Sequence, residues 1–72
     1  MALLLDGEKI RKRRAELQIR QRDLATPLNT SESYVSRLER SKTASKPETI
    51  RALSKTLKCK PSDLMTEVDE DE

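Results

Sequence analysis

The sequence predicts an all-α domain, a compact bundle of about five short helices. Three observations predict it. Leu, Ile, Val and Met must supply the core, since Phe and Trp are absent and Tyr34 is the single aromatic residue, a composition poor for a sheet. The apolar residues recur in short groups at helical spacing rather than in alternation. The polar segments between these groups have the length of helix–helix connections. A chain of 72 residues makes one small domain, and it buries only about 60% of its unfolded surface.

The first helix runs from about Asp6 to Gln18. Asp6 supplies a capping oxygen, Ile10 and Leu17 face inward with Arg14 and Ala15 between them, and Lys9, Arg11, Lys12 and Arg13 crowd the exposed side. The second helix runs from about Gln21 to Leu28, with Leu24, Ala25 and Leu28 on one face. Pro27 costs roughly 3 kcal/mol in a helix interior, so this helix ends or kinks near Thr26. Asn29-Thr30 reads as a tight turn, because Asn tolerates the left-handed conformation.

Ser31 caps a third helix that extends to about Arg40. It offers only two aliphatic residues, Val35 and Leu38, a narrower stripe than a surface helix of a small domain usually buries. Its other side is therefore free for another purpose. After a polar loop from Ser41 to Lys46, Ser45-Lys46-Pro47-Glu48 opens a fourth helix as a Ser-x-x-Glu capping box with Pro in the first turn. Ile50, Leu53 and Leu57 form its apolar stripe. Lys60 to Met65 makes a short fifth helix. The domain division expected is an apolar N-terminal arm over residues 1–5, a helical domain over 6–66 and an acidic tail over 67–72.

The formal net charge of +2 conceals an asymmetry. Glu67, Asp69, Glu70, Asp71 and Glu72 are acidic; setting those five aside leaves 15 basic residues against 8 acidic ones. A basic body with an acidic end fits a polyanion partner, or else a soluble surface with a solvated tail. The tail either stays solvated or competes with nucleic acid for the basic face. There is no His and one Cys, so no intrachain disulfide forms and no metal or cofactor is expected. Cys59 reads as a packing residue, with a redox role as its alternative. No activated nucleophile or Gly-rich phosphate loop is present, so an enzyme is not expected. Met1 to Leu5 is too short for a membrane span or a signal peptide, which fits a cytoplasmic protein.

Ile19-Arg20-Gln21-Arg22-Asp23-Leu24-Ala25, then Thr30-Ser31, then Val35-Ser36-Arg37-Leu38-Glu39-Arg40 resembles the helix-turn-helix of the Cro and C1 repressor (XRE) family. The likeness extends from about Asp6 to Met65, since Glu48-Thr49-Ile50, Leu53 and Leu57 fall where that family has its fourth helix. Departures occur at Arg20, Pro27, Asn29, Thr30 and Ser41. They affect helix ends and not the base-reading positions. The resemblance implies a lambda-repressor-like domain that binds double-stranded DNA, in a prokaryotic cell on the nucleoid or encoded by a phage.

On that model Val35, Leu38 and the Tyr34 ring face the core, and the side bearing Ser33 and Arg37 enters the major groove, which is about 12 Å wide. Base-reading candidates are Glu32, Ser33, Arg37 and Gln21. Arg37 offers a fork for guanine O6 and N7, or else a phosphate contact or a solvated charge. Glu32 accepts from cytosine or merely favours the helix N-terminus. Phosphate candidates are Arg20, Ser31, Tyr34, Ser36, Arg40, Lys42 and Lys46, whereas Arg11, Lys12 and Arg13 read more as a solvated face. The family's ion pair between the first and third helices falls on Arg14 and Glu39.

The function expected is a sequence-specific transcriptional regulator, repressor or activator, acting as a homodimer on a near-palindromic operator. The fifth helix with Leu64, Met65 and Val68 is the first candidate for the dimer surface, and Leu3 to Leu5 the second. An antitoxin or restriction-modification controller of the same fold is one alternative. A helix-turn-helix module that docks protein without reading DNA is another.

Overall fold

Asp6 ends a strand and opens a helix. Strand β1 (Ala2–Asp6) leads into helix α1 (Gly7–Glu16), and the Asp6 carboxylate accepts a hydrogen bond from Glu8 N at 3.0 Å. A computed structural model describes residues 2–69, and the elements that follow are α2 (Gln21–Ala25), α3 (Glu32–Leu38), β2 (Lys42–Thr43), α4 (Pro47–Thr56), a 3₁₀ turn (Pro61–Leu64) and β3 (Met65–Val68). No helix among them is long and apolar enough to cross a membrane.

The helical frame matches the expectation, but the domain is not all-α. The expected N-terminal arm is the middle strand of an antiparallel sheet of order β2-β1-β3. Leu5 pairs with Thr43 on one side and with Met65 on the other, and Ala2 pairs with Val68. β1 thus crosses the expected boundary at residue 6, and β3 crosses the one at 66. The strand residues Ala2-Leu3-Leu4-Leu5 carry no β-branching, so local propensity does not announce them; pairing with β3 imposes the strand. The expected fifth helix is only the 3₁₀ turn Pro61–Leu64, because Met65 leaves it in extended conformation (φ −119°, ψ 161°) to enter β3. Of the acidic tail, residues 70–72 lie outside the described residues.

Helix ends follow local chemistry. Pro27 stops α2 early: the assigned helix ends at Ala25 with Thr26 as its cap. Three residues adopt positive φ, Gln18 (57°), Asn29 (55°) and Lys58 (54°). Each closes a turn with the same bond pair. Gln18 N donates to Ala15 O and Ile19 N to Arg14 O; Asn29 N to Thr26 O and Thr30 N to Ala25 O; Lys58 N to Lys55 O and Cys59 N to Ser54 O. This is the Schellman ending, which satisfies the last carbonyls at the cost of one left-handed residue. α4 corrects one detail. Its N-cap is Lys46, without a side-chain cap, so Ser45 and Glu48 do not form the expected capping box; Pro47 does occupy the first helical turn.

The core is a single cluster in which Leu5, Ile10, Leu24, Val35, Leu53, Leu57 and Leu64 are fully buried. It joins α1, both helices of the turn, α4 and the sheet. Gly7 permits the closest approach. A Cβ there would lie 2.1 Å from Leu38 O and 2.5 Å from Glu39 C, and its own N–H donates to Ser41 O at 2.9 Å. The start of α1 is thereby pressed against the end of α3.

Candidate nucleic-acid interface

α3 divides into two sides. Val35 and Leu38 are buried in the core, and the Tyr34 ring packs against it, half-buried. Glu32, Ser33 and Arg37 are exposed, and Ser36 is half-buried. Ser31 Oγ accepts from Tyr34 N at 3.2 Å, so its hydroxyl caps the helix. Behind α3, Ser41 Oγ donates to Arg37 O at 3.1 Å and Arg40 Nε donates to Ser36 O at 3.2 Å. The Arg40 side chain is thus folded back along the helix end. The Arg37 guanidinium makes no hydrogen bond or ion pair with the described residues, so its whole donor fork is available.

The pose of α3 relative to α2 is fixed by a polar knot. Arg14 donates from Nε to Glu39 Oε2 at 2.6 Å and from Nη2 to Glu39 Oε1 at 3.1 Å, while its Nη1 reaches Ile19 O at 2.9 Å. Gln21 Nε2 donates to Glu39 Oε1 at 3.0 Å. The Glu39 side chain is 2% exposed, so the carboxylate sits in low dielectric with its lone pairs filled by charged and amide donors, the condition under which a buried ion pair is tolerated. Glu39 at the end of α3 thus ties α1 to the first residue of α2, and Arg14 adds the loop before α2.

The structure brings Gln21, Arg14 and Glu39 into one cluster and leaves Glu32, Ser33 and Arg37 on a separate, solvent-facing side. Gln21 is half-buried and spends one amide donor on Glu39. Arg20 is exposed at the start of α2, where its N–H donates to Asp23 Oδ2 at 3.2 Å; arginine has no acceptor, so only this returning half of a capping box is made. Lys42 lies exposed in β2, and Lys46 is exposed at the start of α4.

Two cations read from the sequence as lying on the exposed side of α1 are tied to main-chain carbonyls. Arg13 is half-buried: its Nε donates to Leu57 O at 2.9 Å and its Nη2 to Lys58 O at 3.1 Å, clamping α1 onto the end of α4. Lys9 is tied likewise, with Nζ on Met65 O at 2.8 Å. The acceptors are main-chain carbonyls, so no residue type in the sequence marks them as partners for a basic side chain.

The family model described as Helix-turn-helix matches residues 10–64. The chain belongs to the helix-turn-helix family. Within it, the chain is similar to the repressor protein C2 of Salmonella phage P22, at 44% identity over 61 residues, which is 85% of this chain and 28% of that repressor. The chain therefore spans little more than a quarter of that relative. It is also similar to the P22 c2 repressor solved in complex with synthetic operator 9T in the presence of Tl+, with a TM-score of 0.73 and 45% identity, covering 83% of this chain and 91% of that one. A restriction-modification controller, C.AhdI of Aeromonas hydrophila, has a TM-score of 0.70 at 28% identity, covering 81% of this chain and 88% of that one.

Proposed function

We propose that this helix-turn-helix protein is a sequence-specific regulator that binds double-stranded DNA and represses transcription, acting as a homodimer on a near-palindromic operator. The observation that carries the reading is the division of α3: Val35 and Leu38 are buried while Ser33 and Arg37 remain exposed and Arg37 keeps an unspent guanidinium. A helix held in that way inserts its free side into the major groove, with its N-terminal residues at the base edges. The similar P22 c2 repressor is bound to an operator in its solved structure, which supports carrying DNA binding over to this chain.

Within this reading Arg37 and Ser33 contact base edges, Glu32 accepts from a cytosine amino group, and Gln21 contacts the backbone or a base with what Glu39 leaves free. Arg20, Ser31, Tyr34, Ser36, Arg40, Lys42 and Lys46 are the phosphate-facing set. Two copies on one face of the duplex place their recognition helices about 34 Å apart, one turn of B-DNA. The protein acts in the cytoplasm as a binding protein and not as an enzyme. The similarity to C.AhdI favours a second reading, a restriction-modification controller built on the same contacts.

The test is selection from a random duplex pool at physiological salt, followed by sequencing. An enriched palindrome supports a dimeric, sequence-reading regulator. Bulk binding that is salt-sensitive but shows no enriched sequence would sink the sequence-specific part of the proposal.

A further inference from the structure

We infer that the protein pairs with a second copy of itself through the open edge of β1, with Leu3 of one copy against Leu3 of the other across a two-fold axis. This rests on the homodimer of the proposed function and names its surface.

β1 is the middle strand, yet it is covered unequally. β3 runs beside it from Ala2 to Leu5, whereas β2 pairs only with Leu5 and Asp6. The hydrogen bond from Gly7 N to Ser41 O continues the β1–β2 register beyond Asp6. In an antiparallel ladder alternate residues direct their N–H and C=O groups to the same side. Gly7, Leu5 and Leu3 therefore all face the β2 side. β2 stops opposite Leu5, so the N–H and C=O of Leu3 meet no strand among the described residues.

The Leu3 side chain stands off the face of the sheet at this same unpaired stretch. Leu3 is 60% exposed and is the exposed large hydrophobic residue among those described. Ala2-Leu3-Leu4-Leu5 contains no charge and no proline, the devices by which monomeric proteins blunt an edge. The outer edge of β3 is protected by contrast. It carries Glu67, and acidic residues 69–72 follow, so a β3–β3 pairing would set like charges side by side. Of the first candidate surface, Leu64 is fully buried and Met65 packs against the core, which leaves little apolar area there for a partner.

An antiparallel edge of this kind is complementary to itself. A two-fold axis at Leu3 sets Leu3 opposite Leu3 and Ala2 opposite Leu4, a ladder of three residues in each strand that ends where β2 takes up the edge at Leu5. The paired Leu3 backbones exchange their N–H and C=O groups reciprocally. The contact is short, so the free dimer is weak, and binding of both copies to one operator strengthens it through effective concentration.

Cross-linking and sedimentation without DNA test the surface separately from the DNA reading. In a Cys59→Ser background, Leu3→Cys should close to a covalent dimer under mild oxidation, since facing Cα atoms in such a pair lie about 5.5 Å apart, within disulfide range. Glu67→Cys in the same background should cross-link only at the collisional rate. Leu3→Glu should weaken self-association about tenfold or more while leaving the melting temperature unchanged. The inference is overturned if Leu3→Cys links no faster than Glu67→Cys, if Leu3→Glu associates like the parent protein, or if the parent is monomeric up to about 1 mM. A dimer lost with Leu3→Glu in a protein that selects no operator would uphold this surface and defeat the DNA reading. Operator binding with a dimer indifferent to Leu3 would do the reverse.

Discussion

Arg14 and Glu39 lie 25 positions apart in the sequence and meet through two hydrogen bonds of 2.6 and 3.1 Å. The pair is the fixed point of the helix-turn-helix: Glu39 also takes the Gln21 amide, and Arg14 also takes the Ile19 carbonyl. The angle between α2 and α3 is therefore set by side chains that point away from the exposed side of α3.

Glu39→Ala strands the Arg14 guanidinium, which is only 17% exposed, and should cost about 3–5 kcal/mol. At about 4–8 °C per kcal/mol for a domain of this size, thermal unfolding should fall by well over ten degrees. Replacing both partners with Met removes the charge as well as the bond and should recover much of the loss. A Glu39→Ala protein that melts with the parent would show that the knot contributes nothing to the fold.

Gly7→Ala sets two effects against each other. Ala is favoured over Gly within a helix by about 1 kcal/mol, so propensity alone predicts a gain. The new Cβ, however, would sit 2.1 Å from Leu38 O, a clash with backbone that no rotamer relieves. Overpacking of this kind costs about 1–3 kcal/mol, and the net change should be destabilising. Urea unfolding measures it, and a gain in stability would mean that α1 can shift away from α3 freely.

The three left-handed helix ends give a graded prediction. A non-Gly residue in that conformation costs roughly 1–2 kcal/mol, less for Asn, and Gly gives back part of the relief through its unfolded-state entropy. Gln18→Gly and Lys58→Gly should each stabilise by a few tenths to about 1 kcal/mol, and Asn29→Gly by less. Equal gains at all three would contradict the assignment of Asn29 as the tolerant position.

These sites also mark how far the sequence could be read. Asn29, Pro27, Ser31 and Asp6 announce their turns and caps because the chemistry is local. The Schellman ends at Gln18 and Lys58 carry no such signal, since neither residue favours positive φ; their flanking neighbours Leu17 and Ile19, and Leu57 and Cys59, pack in or against the core. The sheet was illegible for a similar reason. Ala2-Leu3-Leu4-Leu5 suits a helix as well as a strand, and its partner Met65–Val68 is distant in sequence. Arg13 and Lys9 looked like solvated charge because their acceptors are main-chain carbonyls, which no residue type reveals. The two-sided character of α3, by contrast, followed directly from the spacing of Val35 and Leu38.

Cys59 lies in the cleft between α1 and the end of α4. Burial, and then the nearby Asp63 carboxylate, push its thiol above the ordinary range, with Arg13 opposing. The thiolate is the reactive form, so alkylation at mildly alkaline pH should be slower than for a free cysteine and should rise only at higher pH. Because the folded pKa is raised, the associated stability is present below the unfolded value and is lost as pH climbs through the folded one. Asp63→Asn should shift the alkylation profile to lower pH; an unchanged profile would leave burial as the sole cause.

Arg37→Ala separates reading from folding. The side chain is exposed and makes no hydrogen bond or ion pair within the described residues, so stability should stay within about 0.5 kcal/mol of the parent. If the guanidinium grips guanine O6 and N7, the loss is about 1–3 kcal/mol of binding, confined to one base position in each half-site, where discrimination relaxes. If it grips phosphate instead, affinity falls uniformly across sequences and the salt slope of log K drops by about 0.9 for each phosphate that is no longer neutralised. Lys46→Ala provides the phosphate reference. Titrations of both variants against the selected operator and its single-position variants, at several salt concentrations, distinguish the two. A position-independent loss with a reduced slope for Arg37→Ala would move base reading to Ser33 and Glu32. No loss at all would remove this side of α3 from the interface.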